Sequence, residues 1–300
     1  MLQLPLFEKE SDWRPPELGS LPNWKNASRI GLDIETSDPN LKKTGPSVRT
    51  GGFICGVSFA LEGDVHPPGH PKEGQQRGYY LPLRHFGGNN VPLDGALFYL
   101  KSQAREFSGE LVGANFQYDL DFLAEEEVLF PNVHRFRDVQ IADPLLFEMH
   151  DSYSLEAIAQ RYGYRGKSEG LLKRAARDYG VDPKAEMWKL PARFVGPYAE
   201  EDAVLAVQII AKQEVELERQ DLMGVYDLES RLQPILLGMR RQGVRVDLDK
   251  LAHIEDVMQA AELQDCAELT RRTGIIVGLG DINKKKTTAA ILDKIGVKFL

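Results

Sequence analysis

The stretch GLDIET, residues 31–36, decides how the rest of the chain is read. Ile30, Leu32 and Ile34 alternate with other residues as on a buried strand, and Asp33 and Glu35 occupy the opposite set of positions. Side chains two apart on a strand share a face, with Cα atoms about 6.5–7 Å apart, so both carboxylates point to one side. Acids on a buried strand are paired or metal-bound, because an isolated buried charge is too costly. Working outward, residues 29–35 form a first strand, and 52–61 (GFICGVSFAL) and 78–83 (GYYLPL) form two more. The turn-rich EGDVHPPGHPKEGQQR separates the last two, and the three strands are expected to form an antiparallel meander.

Beyond the meander the apolar spacing becomes mixed. Helices are expected over 94–107, 116–129, 154–162 (with Ser154 as N-cap) and 171–179, and a short buried strand over 110–114. From 198 onward the pattern is almost wholly helical: 198–223, then 228–241 ending at Gly243, then the short VRVD, then 248–272. The expected organisation is an N-terminal arm over 1–27, an α/β domain over 28–218 and a helical part over 219–300.

Composition sets outer bounds. The 300 residues are 42% hydrophobic and 27% charged, a balance that excludes collagen-like and disordered chains. No apolar run approaches the roughly 18 residues of a membrane helix, and the N-terminus does not read as a signal peptide. Two cysteines make no disulfide framework, so a reducing, cytoplasmic setting is expected. With no C-x-x-C or H-E-x-x-H, a zinc site has no support. The net charge of −8 argues mildly against nucleic acid, although local patches outweigh the total.

Two further acidic motifs follow GLDIET. In ANFQYDLDFL, Asn115 and Asp119 are four apart and share a helix face; Asn115 also suits an N-cap, and Asp121 falls on a different face. In PYAEEDAVLA, Tyr198 and Asp202 are likewise four apart, with Glu200 and Glu201 solvated. Singly, each motif is as well explained by a polar helix surface. Together they bring four carboxylates from three elements, a charge suited to two Mg²⁺ or Mn²⁺ ions. Paired metals are standard machinery for displacement at phosphorus. Gly166-Lys167-Ser168 ends like a phosphate loop but lacks its first glycine, and His66 and His70 sit in a proline-rich loop.

GLDIET, N-F-Q-Y-D and Y-A-E-E-D, in this order, resemble the three exonuclease motifs of the DEDD superfamily, tyrosine subtype. The likeness is to the proofreading 3′→5′ exonuclease domain of family A DNA polymerases, of bacterial polymerase I and phage type, over roughly 28–215. YLPLRH, ending at His85, matches the same family's second-to-third strand region. LESRLQPILLGMRRQGVRVDLDKL resembles the segment opening the polymerase domain, and GDINKKKTTAAILDKIGV resembles part of its thumb, with Lys284, Lys285 and Lys286 departing from the usual pattern. The resemblance implies an RNase H-like α/β fold, a mixed sheet of about five strands flanked by helices, followed by the start of a polymerase thumb.

The resemblance also implies roles. Asp33, Glu35 and Asp202 would hold one divalent ion; Asp33 would share the second, with Asp119 acting through its water shell. Tyr198 would orient the attacking water, and the product would be a nucleoside 5′-monophosphate. Thr36 and Asn115 are candidates for contacts to the terminal nucleotide. Lys284, Lys285 and Lys286 are candidates for duplex phosphates, with Arg161, Arg165, Lys167, Lys173, Arg174, Arg271 and Arg272 as a further basic track. Tyr162, Tyr164 and Phe136 would stack on bases or pack in the core. The implied partners are DNA, as a single-stranded 3′ end or primer-template, and the remaining polymerase part or a replication factor, in a bacterial or phage-infected cell. Palm and fingers motifs are absent from these 300 residues, so the chain alone is expected not to polymerise. Two rivals stand beside this: a ribonuclease D-like RNA 3′ exonuclease, and a non-catalytic scaffold holding DNA.

Overall fold

The computed structural model of the chain describes residues 11–164 and 169–297. Arg165, Lys167 and the Gly166-Lys167-Ser168 string lie outside the described residues. The chain divides into two compact units, residues 1–241 and 242–300.

In the first unit, β1 (Arg29–Ser37), β2 (Phe53–Leu61), β3 (Tyr79–Pro82), β4 (Glu110–Gly113) and β5 (Arg135–Asp138) form one sheet in the order β3-β2-β1-β4-β5. The pairs β1–β2 and β2–β3 are antiparallel, and β1–β4 and β4–β5 are parallel. This is the expected meander extended by two parallel strands, an RNase H-like mixed sheet flanked by helices. β5 carries no hydrophobic run, because Arg135 and Arg137 flank Phe136. Arg137 is nevertheless buried, its guanidinium 2.7 Å from Asp227 and 3.3 Å from Glu214, and it lies over the Tyr226 ring.

Ten helices are described: α1 (Leu41–Thr44), α2 (Leu93–Glu106), α3 (Phe116–Glu125), α4 (Val139–Leu146), α5 (Leu155–Arg161), α6 (Glu169–Tyr179), α7 (Ala192–Arg219), α8 (Met223–Gln242), α9 (Leu248–Thr273) and α10 (Lys285–Lys294). The even residues of β1 face one core: Ile30, Leu32 and Ile34 pack with Phe59, Leu100 of α2 and Phe122 of α3. Trp24 is fully buried in that core, edge-on to Phe59 at 5.0 Å. The expected N-terminal arm therefore supplies a core anchor, because an indole this large removes roughly 150–250 Å² from water.

The opposite sheet face is covered by α7. Its first turns contain Gly196 and Pro197, residues that usually mark helix ends, yet the helix begins at Ala192. Proline leaves a carbonyl one turn back without its helical donor. Here Ser11 Oγ donates to the Arg193 carbonyl at 2.7 Å. The expected continuous helix to 223 is broken by a turn in which Asp221 takes a left-handed conformation (φ 57°), and α8 starts anew.

α8 belongs with the first unit, although the sequence places it in the helical part beginning at 219. Tyr226 is buried and donates to the Asp138 carbonyl at 3.2 Å, and Arg240 and Arg241 both reach Asp121 on α3. The second unit has α9, capped by Asp247 accepting from Lys250 N (3.0 Å), and a small core of Cys266, Val277 and Ile291. The VRVD stretch is an exposed connector without strand pairing. Both cysteines are free and buried, and no described helix is long and apolar enough to cross a membrane.

Candidate active site

Asp33 and Glu35 share the face of β1 that meets α7, as does Gly31 one step earlier. A Cβ on Gly31 would overlap the Ala203 carbonyl oxygen and the Val207 side chain, so the missing side chain lets α7 approach the strand. Asp202 immediately precedes Ala203. The close approach therefore sets Asp202 opposite the two strand acids: ligand oxygens of Asp33, Glu35 and Asp202 all lie within 4.8 Å of one another. Asp202 is buried and the other two are half-buried.

Tyr198 lies one helical turn before Asp202 and hydrogen-bonds to it. Burial, then the charges of Asp202, Glu35 and Asp33, push its phenol far above the ordinary range. It stays protonated, a hydrogen-bond donor rather than a base.

Asp119 enters from α3. β4 pairs with β1 only as far as Gly31 opposite Val112, so the Ile34 N–H further along β1 has no partner on β4. Asp119 Oδ1 accepts it at 3.1 Å. Burial, then the nearby Asp33 carboxylate, raise the Asp119 carboxyl well above its ordinary value. An acid so placed lies within a concentration of negative charge.

Asn115 occupies the N-cap position of α3, but its side chain makes no capping bond and its backbone is left-handed (φ 57°). Asp138, at the end of β5, does the capping instead. Its Oδ1 accepts from Asn115 N (3.2 Å) and Gln140 N (2.8 Å), and its Oδ2 from Phe116 N (2.8 Å). Asp138 thus fixes where α3 begins and where Asp119 lands. Its only sequence signal was an Asp ahead of a short apolar helix.

Thr36 lies beside Glu35, with Oγ1 2.7 Å from the Tyr118 hydroxyl, which donates to Asp38 Oδ2 at 3.0 Å. Asp121, the acid on the other face of α3, is clamped by Arg240 (2.9 Å) and Arg241 (3.0 Å) and takes no part in the cluster. Lys284 pairs with Asp281 at 2.6 Å, and Lys285 and Lys286 open α10, all three in the second unit. Arg161 is bound to Asp143, Lys173 to Glu169, and Arg271 and Arg272 to Glu268. Tyr162, Tyr164 and Phe136 pack against core clusters. His66 and His70 stack on each other at 4.1 Å in their loop.

The chain is 51% identical, over 99% of its length, to the DNA-directed DNA polymerase of Pseudomonas phage M6. The chain is homologous to phage DNA polymerases. It spans 43% of that relative's length. A second relative, DNA polymerase DpoZ of Salmonella phage PMBT28, is 34% identical over 173 residues, 55% of this chain and 27% of its own length. No protein-family model matches. Among solved structures, the POL domain of Pol1 from M. smegmatis, in complex with DNA primer-template and dNTP, superposes with a TM-score of 0.60 at 18% identity. It covers 94% of this chain and 41% of that one. At that identity the likeness is one of fold, and the fold agrees with the mixed sheet and flanking helices described above. The phage polymerase homology thus joins a sheet face whose acids suit a hard divalent cation: all-oxygen donors, close together, with a desolvated carboxylate behind them.

Proposed function

We propose that the first unit is a metal-dependent 3′→5′ exonuclease acting in proofreading within a phage-type DNA polymerase. The observation that carries this is the convergence of Asp33, Glu35 and Asp202 within 4.8 Å, with Tyr198 bonded to Asp202. Asp33, Glu35 and Asp202 would hold one divalent cation, and Asp33 with Asp119 a second. Bound cations of this kind acidify water near neutral pH and offset charge on phosphoryl and leaving oxygens. The chain's own residues do the rest. Tyr198, kept protonated, orients the attacking water by a hydrogen bond and holds Asp202 in place. Ile34 N fixes Asp119 against rotation. Thr36 and Asn115 are proposed contacts to the terminal nucleotide. DNA is the proposed substrate, Lys284, Lys285 and Lys286 are proposed phosphate contacts, and the product is a nucleoside 5′-monophosphate.

The test is a gel assay with 5′-labelled single-stranded DNA and a matching RNA, in Mg²⁺, Mn²⁺ or EDTA, beside Asp33→Ala. A metal-dependent ladder from the 3′ end of DNA, absent in the variant, is expected. Cleavage of RNA alone would move the protein to the ribonuclease class. Cleavage of neither, in a folded protein with metal present, would leave a DNA-holding scaffold.

A further inference from the structure

Glu35 has an unusual neighbour. Its cross-strand partner on β2 is Gly56. Directly opposed residues of antiparallel strands send their side chains to the same face, with Cβ atoms about 4.5–5.5 Å apart. Gly56 leaves that place empty of its own side chain, and the Tyr80 phenol from β3 fills it. A Cβ on Gly56 would overlap the Tyr80 hydroxyl and the ring carbons next to it. The hydroxyl therefore sits beside the stem of Glu35, on the acid-bearing face of the sheet. The β1–β2 register also shifts between Glu35 and Thr36, which makes Cys55 an extra residue in β2. Its carbonyl accepts from both Leu83 N and Arg84 N, tying the chain after β3 to this bulge.

The hydroxyl does not stand alone. It lies 2.6 Å from His85 Nε2, and His85 Nδ1 lies 3.0 Å from the Leu190 carbonyl oxygen. A carbonyl accepts only, so Nδ1 carries the imidazole proton and Nε2 is the acceptor. The Tyr80 proton thus goes to His85, away from Glu35. Tyr80 is fully buried and His85 is 3% exposed. Burial lowers the imidazole to about 4, so it is neutral at working pH. A neutral tyrosine–histidine pair buried in a sheet is ordinarily packing. What sets this one apart is a glycine that lets it occupy the side-chain place next to a candidate metal ligand.

We propose that Tyr80 and His85 are positioning residues for Glu35. The Tyr80 hydroxyl fills the gap at Gly56 and gives its proton to His85 rather than to the carboxylate, and the pair so holds Glu35 turned toward Asp33 and Asp202 for cation binding. The proposal rests on the metal-site reading of the preceding section.

The experiment is a Mn²⁺ titration followed by electron paramagnetic resonance, without DNA, paired with cleavage rates as a function of Mn²⁺ and of DNA. The proteins are wild type, Tyr80→Phe, His85→Leu and His85→Gln. Gln carries an acceptor oxygen near the place of Nε2 and is the conservative rescue. Tyr80→Phe and His85→Leu are expected to weaken Mn²⁺ binding at least fivefold and to raise the Mn²⁺ needed for half-maximal cleavage equally, with KM for DNA unchanged. His85→Gln is expected to recover most of the affinity. If folded Tyr80→Phe or His85→Leu binds Mn²⁺ as wild type does, the pair is packing only and the proposal is overturned. Should Tyr80→Phe not fold, the comparison of Leu with Gln at position 85 decides alone, and equal Mn²⁺ affinity in those two also overturns it. If wild type itself binds no Mn²⁺, or binds it as well after Asp33→Ala, the metal-site reading fails instead.

Discussion

At the scale of single residues, the site is built from groups that are poor stabilisers of the fold. Asp119 is buried beside Asp33 with its carboxyl raised well above the ordinary value. The sign of its linkage follows. The folded state holds the proton longer than the unfolded state, so without a cation Asp119 costs stability as pH rises through its raised value. Asp119→Asn keeps an oxygen for Ile34 N and removes the charge. In chelator at neutral pH the variant is expected to melt on the order of a few degrees higher than wild type. Added Mg²⁺ should raise the wild-type Tm, by about 2.7 kcal/mol in stability at 100 times Kd, and should raise the variant's less. Cleavage by the variant should be lost. A variant that melts lower in chelator would show that the carboxylate is not strained. His85 gives the opposite case. Its neutral imidazole contributes stability in full above the unfolded value of 6.5, and the contribution fades as pH falls toward the folded value of about 4. Denaturant melts of wild type and His85→Leu from pH 7 to 4 should converge by about 3 kcal/mol. A constant gap would exclude a buried neutral histidine.

These residues were unequally legible. Asp33, Glu35, Asp119, Tyr198 and Asp202 are visible because strand and helix periods place them on single faces. Asp138 and Tyr80 are not, since each acts through a partner far away in sequence: Asp138 through the start of α3, Tyr80 through a glycine on the next strand. Asn115 shows the limit from the other side. Its residue type suits a cap, but the capping bonds come from a carboxylate on β5 that reaches the same amides.

At the scale of elements, the contact of α7 with β1 governs the site. The long helix was legible from 198 onward; its earlier start was hidden by Gly196 and Pro197, whose cost is offset by Trp13 packing on the glycine and Ser11 bonding the freed carbonyl. β5 was hidden because its buried Arg137 reads as a surface residue until Glu214 and Asp227 are brought to it. The α7–β1 contact tolerates no side chain at Gly31, where a Cβ would meet the Ala203 carbonyl of the helix backbone. Gly31→Ala is expected to destabilise by about 1–3 kcal/mol. It should also slow cleavage by roughly 10²-fold, because a displacement near 1 Å would carry Tyr198 and Asp202 away from the strand acids. Gly238→Ala, in an open position on α8, is the control and should be neutral or stabilising by about 0.5–1 kcal/mol. Melting curves and the gel assay check both. Equal cleavage by Gly31→Ala and wild type would show that α7 is not held by this contact.

At the scale of the whole molecule, the acidic total and the proposed DNA substrate are reconciled by where the charges go. Among the described residues, much of the basic complement is tied up: Arg29 and Arg137 with Glu110 and Glu214, Arg240 and Arg241 with Asp121, Arg271 and Arg272 with Glu268. The strand and helix acids gather negative charge at one place, and bound cations there would ease the approach of a phosphate. All five candidate catalytic residues lie in the first unit, which ends at Arg241 and closes with α8 fastened by Tyr226, Asp227 and the Asp121 clamp. Residues 243–247 beyond it are exposed and carry no regular structure. Such a connector is the preferred place for a protease to cut, whereas α8 is protected by its packing. Brief trypsin treatment should therefore cleave at Arg245 and leave a body of the first unit that retains metal-dependent trimming of single-stranded DNA. Its hold on duplex DNA should fall if Lys284, Lys285 and Lys286 grip phosphates, with a shallower salt dependence than the intact chain. If instead the isolated body folds and binds Mn²⁺ yet no longer trims single strands, the second unit supplies part of the active site, and assigning the chemistry to β1, α3 and α7 alone is wrong.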